Sequence, residues 1–371
     1  MGTVTVRDLA ESRDVSKVIV GDVSIKKGNQ LKRLIGSGKV SVTRVDVSDR
    51  AGLVEAMKEA DAVANATPYH LNLQIMKAAM RAGKSLTDLG GVYHTTVKQL
   101  ELAKKAEEAG ITVALGCGLA PGITDILAKY AAEKLDAVDE VHIKYGEVNL
   151  SPAKYKWSFR TVLEEYTKGP VVYQNGEYKE LLPFSGKQTV KFPEPIGERP
   201  CCYGLYSGVA TLPHTVRKGV KVVDCLMVHR EEDEQRIKVL DEMGLTSTEP
   251  IDFKGVTISP REFLLRCAPP PDAKARDVAG AMVEVIGEKG GERTRCIYSL
   301  VYPYHEKYEV SALAYLTGVP LSIVSQMLAK GDISELGVLP PEVAVKPTPF
   351  FAELAERGIT ITETTDKTRI L

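Results

Sequence analysis

With 371 residues the chain exceeds the ~250–300 at which a single hydrophobic core stops growing, so two domains are expected. Hydrophobic residues make up 44% and charged residues 26%, the balance of an ordinary globular protein, and a net charge of -1 gives no attraction to a nucleic-acid backbone or an anionic membrane surface. The six cysteines (Cys117, Cys201, Cys202, Cys225, Cys267, Cys296) are too sparse for a disulfide scaffold and lack the CxxC spacing of a zinc site, so all are expected as reduced thiols.

Residues 1–17 lack the basic start and apolar centre of a secretory signal, and no apolar run approaches the ~18 residues of a membrane helix. A cytoplasmic protein with neither nucleic-acid nor membrane partners is the expectation.

Residues 2–12 favour a helix. Making 3–6 a strand instead would leave only about ten residues for the connection, at or below the minimum for a parallel crossover. Two β-branched runs follow, at 18–20 ending in Gly21-Asp22 and at 40–45 ending at Asp46, each succeeded by a helix-like segment. Residues 61–66 give a third strand, and 71–82 a helix with Ile75, Met76, Ala79 and Met80 on one face and Gly83 as its stop. Residues 85–89 read as a strand, 96–109 as a helix introduced by Thr95 or Thr96 and ended by Gly110, and 112–115 as a strand before Gly116-Cys117-Gly118. Strands alternating with helices predict a parallel, doubly wound α/β sheet of the Rossmann type.

Ligands of such sheets gather outside the carboxyl ends of the strands. The cofactor set expected there is Gly2, Asp22, Asp46, Asn65, Ala66, Thr67, Asp88, Gly90 and Gly116. Asp22, closing a strand, would accept hydrogen bonds from the adenosine ribose and so favours NAD over NADP; capping the next helix is its alternative role. The hydrophobic strand and first two glycines of a G-x-G-x-x-G motif do not precede the first helix, so Gly2 reads as the third glycine. The first strand is therefore expected to be missing, which would take a central member from the sheet and weaken NAD binding.

Residues 123–134 read as a helix, after which the pattern changes. Gln174-Asn175-Gly176, Lys254-Gly255 and Gly290-Gly291 mark hairpins, and residues 231–243 and 260–267 are helices. The second domain is thus α+β with a largely antiparallel sheet. The expected boundaries are 1–122 for the dinucleotide domain, completed by about 312–345, and 123–311 for the substrate domain. A helix at 320–329, ended by Gly331, is expected to return to the first domain.

Asn65-Ala66-Thr67-Pro68-Tyr69-His70, Asp88-Leu89-Gly90-Gly91 and Gly118-Leu119-Ala120-Pro121-Gly122-Ile123 together resemble the saccharopine dehydrogenase-like family, which includes lysine 6-dehydrogenases. The resemblance continues through Tyr155-Lys156-Trp157-Ser158, Thr317-Gly318-Val319-Pro320 and Gly337-Val338-Leu339-Pro340-Pro341. It implies a nicotinamide cofactor and oxidation of an amine-bearing carbon to an imine, or the reverse reductive condensation. Saccharopine reductases carry an Asp where this chain has Ala120, and an Arg-Asp pair within the stretch that here reads Tyr206-Ser207-Gly208-Val209-Ala210-Thr211. Losing an acid and a carboxylate-reading Arg points away from saccharopine, towards L-lysine or a related basic amino acid. However, Val222-Val223-Asp224-Cys225-Leu226 lacks the basic residues that lysine 6-dehydrogenases place there.

Hydride leaves an amine carbon only when the nitrogen is neutral, so a base is needed. The resemblance places Tyr69 in the active site, and Tyr69, His70, Asp88 and His94 are the catalytic candidates. Packing over the loop, holding backbone amides and plain surface exposure are the alternatives for Tyr69, Asp88 and His94. Tyr93, Cys117, Trp157, Ser158 and Thr211 are assigned to substrate, although Cys117 and Trp157 also suit ordinary core packing. His142, His214, His229 and His305 show no metal-ligand spacing, and no metal is expected. A homodimer acting on a small amino acid or amine is the expected assembly. The competing readings are a different imine-forming reductase, as in polyamine or opine-like metabolism, and a non-catalytic scaffold with a degenerate nucleotide site.

Overall fold

A computed structural model describes residues 1–150, 158–216, 218–269, 272 and 275–368. Helix α1 (Gly2–Glu11) buries Val4, Thr5, Asp8 and Ala10, a helical spacing, so the strand alternative for residues 3–6 is excluded. Strands β1 (Val18–Asp22) and β2 (Val40–Arg44) pair in parallel, with α2 (Ile25–Ile35) between them and α3 (Arg50–Lys58) after them. Next come β3 (Ala62–Asn65), α4 (Asn72–Ala82), β4 (Ser85–Asp88), α5 (Tyr93–Leu100), α6 (Ala103–Glu108) and β5 (Thr112–Ala114). The last strand of this set, Gly337–Leu339, makes a four-stranded parallel sheet with β5, β4 and β3. β1 and β2 form a separate pair, so β1 and β3 are not hydrogen-bonded neighbours.

Two expectations change here. The helix expected at 96–109 begins three residues earlier, at Tyr93, and is interrupted into α5 and α6. Thr96, read as a start signal, is a buried side chain inside α5 rather than its cap. Tyr93 and His94 therefore open a helix.

After α7 (Ile123–Glu133) the chain builds a nine-stranded, mostly antiparallel sheet from β6 (Ala137–Asn149), β7 (Val171–Gln174), β8 (Glu177–Glu180), β9 (Gln188–Lys191), β10 (Glu198–Tyr203), β11 (Val222–Val228) and three later strands. Among the described residues only β11 and β6 pair in parallel in this sheet. Helices α8 (Phe159–Thr167), α9 (Leu212–Thr215), α10 (Glu231–Glu242) and α11 (Pro260–Cys267) lie between these strands, with a hairpin, β12 (Ile251–Phe253) and β13 (Val256–Ile258), preceding α11. β14 (Asp277–Lys289) and β15 (Glu292–Pro303) form a long hairpin through Gly290-Gly291, both at positive φ.

Helix α12 (Ala312–Lys330) starts eight residues before the expected Pro320, which sits inside it. Ser311 caps it by accepting from the Ala314 amide at 3.2 Å. By length and composition α12 could cross a membrane, but 78% of its apolar window is buried inside the protein. It is the shared core: Leu316, Val319, Ile323 and Val324 pack with Val4 of α1, with α7 and with Val283 and Val285 of β14. Each such side chain contributes about 1.5–3 kcal/mol of burial. A Cβ on Gly318 would lie 2.7 Å from Val4 Cβ, so only glycine admits α1 this closely. β16 (Gly337–Leu339), α13 (Pro341–Ala344), α14 (Pro347–Glu356) and β17 (Thr362–Thr368) complete the chain described, β17 adding to β15.

Candidate functional site

The carboxyl ends of β3, β4 and β5 are joined by a buried polar network. Asn65 closes β3 and accepts from the Thr67 amide (3.0 Å) and hydroxyl (2.7 Å), while its own amide donates to Asn72 Oδ1 at 2.9 Å. Asn72 in turn donates to the Gly90 carbonyl at 3.0 Å. Asp88 Oδ1 accepts from the Gly90 and Gly116 amides, both at 2.8 Å, and Oδ2 accepts from Gln99 at 2.8 Å. Burial raises the Asp88 carboxyl above the usual range although these three donors oppose it.

Asp88 is fully buried and its donors are two backbone amides and a side-chain amide, so it acts on the loops and not on substrate. The expectation of a catalytic Asp88 is corrected accordingly. Gly90 and Gly116 have φ of 82° and 61°, and a Cβ on either would strike Pro121, which is why glycine is required at both.

At the other end of the site, α1 points its uncapped first turn at β3: a Cβ on Gly2 would lie 3.3 Å from Ala66 Cβ. Uncapped helical amides beside a strand end suit a pyrophosphate. Asp22 Oδ1 accepts from the Ser24 amide at 2.7 Å, and Ser24, not Asp22, caps α2. Asp22 therefore shapes the turn after β1 while remaining only half-buried. Asp46 is committed to its own turn, accepting from the Ser48 hydroxyl (2.6 Å) and amide (3.0 Å), which together with Arg44 lower its carboxyl. The residues thus fit a dinucleotide, whose nicotinamide supplies hydride chemistry when bound.

Between the domains lies a cavity of about 370 Å³. Val92, Tyr93 and His94 form one wall, and Thr167, Lys168, Glu180 and Tyr206 belong to the other. His94 Nε2 stands 4.0 Å from Glu180 Oε2, and Tyr93 packs on Tyr178 with ring centroids 5.3 Å apart. Tyr69 is half-buried against Gly91, where a Cβ would come within 3.1 Å. His70 is exposed, its pKa lowered by partial burial and then by the charge of Arg160 on α8. Ser158 is half-buried at the N-terminus of α8 and leaves that helix without a side-chain cap. Burial, then the carboxylates of Glu147 and Glu164, push Glu165 of α8 up to about 8.

Two substrate assignments are corrected. Cys117 is 1% exposed in the core, and burial pushes its thiol far above its ordinary pKa, so it is a packed apolar side chain. Thr211 is buried, donating to the Gly208 carbonyl at 3.3 Å, and does not face the cavity. Trp157 lies outside the described residues. Glu180 and Glu165 were not predicted, and a solvent-facing hairpin carboxylate carries no sequence signal separating it from any other. Tyr206 lay in a stretch already singled out, and its aromatic character was the usable clue. Among the described residues no group of His, Cys, Asp and Glu is placed to hold a metal.

A parallel sheet with an anion-suited helix start, a stapled strand-end platform and an interdomain cavity define a two-domain dinucleotide-dependent dehydrogenase. Comparison with known proteins narrows the class. Residues 1–114 match the saccharopine dehydrogenase NADP binding domain and residues 118–359 the saccharopine dehydrogenase C-terminal domain. The chain belongs to the saccharopine dehydrogenase family, and is an NAD(P)-dependent oxidoreductase acting on amine or amino-acid derivatives.

Carboxyaminopropylagmatine dehydrogenase of Synechocystis is 25% identical over 97% of this chain and 94% of that protein. Carboxynorspermidine synthase of Vibrio alginolyticus is 26% identical over 97% and 90%. Apo saccharopine dehydrogenase (L-Glu forming) from Saccharomyces cerevisiae shares the fold with a TM-score of 0.75 at 19% identity, covering 98% of both chains.

Proposed function

We propose that the enzyme makes or oxidises the C–N bond of a carboxylated polyamine, rather than acting on L-lysine. The observation that carries this reading is the cavity in which Tyr93, Tyr206 and Glu180 meet: aromatic faces and a carboxylate are what a cationic amine requires. The two relatives that match over nearly their whole length are named for carboxylated amines, carboxyaminopropylagmatine and carboxynorspermidine, which supports the same class. Ala120 and the Tyr206-Ser207 stretch lack the acid and Arg of saccharopine reductases, which argues against saccharopine. His94, beside Glu180, is our candidate base; Tyr69 and His70 are further catalytic candidates, and Tyr93 and Ser158 are the proposed substrate contacts.

NAD is the proposed cofactor, with Asp22 on the ribose hydroxyls; Arg44, the register partner of Asp22 on β2, is the cation a 2′-phosphate would use. We further propose a cytoplasmic homodimer with no nucleic-acid or membrane partner, which sedimentation at micromolar concentration tests. The deciding experiment for substrate follows NAD(P)H absorbance with carboxynorspermidine, carboxyaminopropylagmatine, saccharopine and L-lysine. Turnover of either carboxylated polyamine well above the other two is expected. Preference for lysine or saccharopine overturns the reading; saturable NAD binding excludes the scaffold with a degenerate nucleotide site, whereas absence of both dinucleotide binding and turnover would favour it.

A further inference from the structure

The helix whose start faces the dinucleotide is held in a way that its own sheet does not explain. Towards the strands α1 offers apolar surface: Ala10, with Val6 and Leu9, packs with Val18 and Val20 of β1 and Val40 of β2. Such contacts keep a helix on a sheet but, being non-directional, do not fix how far it slides along its axis. The directional bonds go to α12. The Thr5 hydroxyl donates to the Gly318 carbonyl at 2.9 Å, Asp8 Oδ2 accepts from the Ser322 hydroxyl at 2.6 Å, and the Ser12 hydroxyl donates to Gln326 Oε1 at 2.7 Å. Residues 5, 8 and 12 follow one helical face and residues 318, 322 and 326 follow another, so the three bonds are rungs one turn apart.

The middle rung is the charged one. Asp8 is 6% exposed, and its Oδ1 accepts from Arg357 Nε at 2.7 Å. Arg357 follows α14 directly; it also donates to Glu353 at 2.6 Å, and its carbonyl accepts from the Tyr315 hydroxyl of α12 at 3.0 Å. The guanidinium is thereby fixed to both α12 and α14. An acid in the last turn of a helix opposes the helix dipole, and a buried carboxylate is costly unless paired. Local helix stability therefore does not account for Asp8, whereas the tertiary pair does. On the flank of α1, Arg7 donates to the Tyr308 carbonyl at 3.3 Å, and Glu11 accepts from Lys307 (2.8 Å) and the Tyr308 hydroxyl (2.9 Å). The helix is thus located by side chains and backbone from residues 307–357.

We propose that the buried ion pair of Asp8 and Arg357 is a positioning device for the dinucleotide: by fixing α1 against α12 and α14 it sets where the first-turn amides of α1 stand. Asp8 lies six residues beyond Gly2, about 9 Å along the helix, so it touches neither cofactor nor substrate. Neutral rungs such as Thr5 and Ser12 tolerate a small slip, but a slip at the middle rung strands a buried charge, which gives the helix one register. Register matters at the far end because hydrogen bonds from backbone amides weaken steeply with misalignment. The inference rests on reading the start of α1 as the pyrophosphate site.

The test measures NADH affinity by fluorescence titration, and Tm, on the same full-length variants. Arg357→Met leaves the Asp8 carboxylate buried with the Ser322 hydroxyl as its donor and should lower Tm by roughly 8 °C. Asp8→Ala keeps Arg357 on Glu353 and should lower Tm less. Both should weaken NADH about 10-fold, because both free the register of α1. The double substitution strands no charge, so it should recover most of the Tm lost in Arg357→Met while NADH stays about 10-fold weaker than in wild type. Affinity that recovers together with Tm makes the pair structural only and overturns the proposal, as does wild-type affinity in any of the three. If one single variant fails to fold, the other and the double variant decide. Thr3→Glu, which sets a negative charge in the first turn of α1, separates this proposal from the reading beneath it. Unchanged NADH binding there overturns the pyrophosphate site and the proposal with it, whereas loss there beside wild-type affinity in the double variant overturns the positioning role alone.

Discussion

In the parallel sheet the buried polar groups Asn65, Asn72, Asp88 and Gln99 sit at strand ends and the helices that follow, and they answer to backbone and to one another. In the nine-stranded sheet the polar groups instead form charged rows across strands. His142 lies 2.9 Å from both Asp224 and Glu140, and Glu284 is held by Lys144 and Arg295. The opposite face of that sheet, through Val141, Ile143, Val283 and Val285, is apolar under α7 and α12. The first sheet thus spends its polarity on shaping loops for a ligand, and the second on holding its own strands in register. Removing a polar group from the first should damage loop geometry at any pH, whereas the second should be pH-sensitive.

The largest expected effect tests the first half of that contrast. Asp88→Ala leaves the Gly90 and Gly116 amides and Gln99 without their acceptor, and should cost about 4 kcal/mol by urea unfolding. Asp88→Asn should cost about 1 kcal/mol, because Gln99 has an unpartnered Oε1 that can turn to meet the new amide. Equal losses would mean that charge, and not loop geometry, is what Asp88 provides.

His94→Gln should lower kcat by roughly 100-fold, about 2.7 kcal/mol, with dinucleotide affinity unchanged by calorimetry. A change confined to KM would instead make His94 a binding group.

The charged sheet face is broken through His142. Burial pulls this imidazole down, but the hydrogen bonds to Asp224 and Glu140 and the charges of Asp224 and Glu284 outweigh that and lift it to about 8. Its contribution of about 2 kcal/mol is fully present below pH 6.5 and is lost as pH rises through about 8. Urea midpoints of wild type and His142→Gln should therefore converge above that pH and diverge below it. Parallel profiles would contradict the charged-row picture.

The smallest effect is at the nucleotide. Asp22→Ala should weaken NAD about 10-fold and narrow its advantage over NADP, measured by fluorescence titration. Unaltered preference would reduce Asp22 to the turn-former that its bond to Ser24 already makes it.

Features governed by local chemistry were legible in the sequence. Asn175-Gly176, Lys254-Gly255 and Gly290-Gly291 each form the expected hairpin, with positive φ at every one of these residues. Gly83 and Gly331 stop their helices in the left-handed conformation. Features set by tertiary packing were not legible. Pro320 reads as a helix start because proline suits the first turn, yet the packing of α12 carries the helix straight through it. The split between α5 and α6 has no breaker residue to announce it.

Within the site, the ends of β3, β4 and β5 were found from strand alternation alone. Which of their residues face a ligand was not, since residue type alone does not report that Asp88 and Cys117 are fully buried.

Helix α12 also has a mechanical consequence. The chain leaves the nucleotide domain after Gly122 and comes back along this one rod, about 28 Å long, whose sides touch α1, β3 and β4 as well as β14 and β15. The backbone then crosses once more, from β16 in the parallel sheet to β17, which adds to β15. The two sheets are therefore stitched by three passages of one chain, the middle one a rigid helix, so that the cleft between them is framed by backbone and not by side-chain contacts alone.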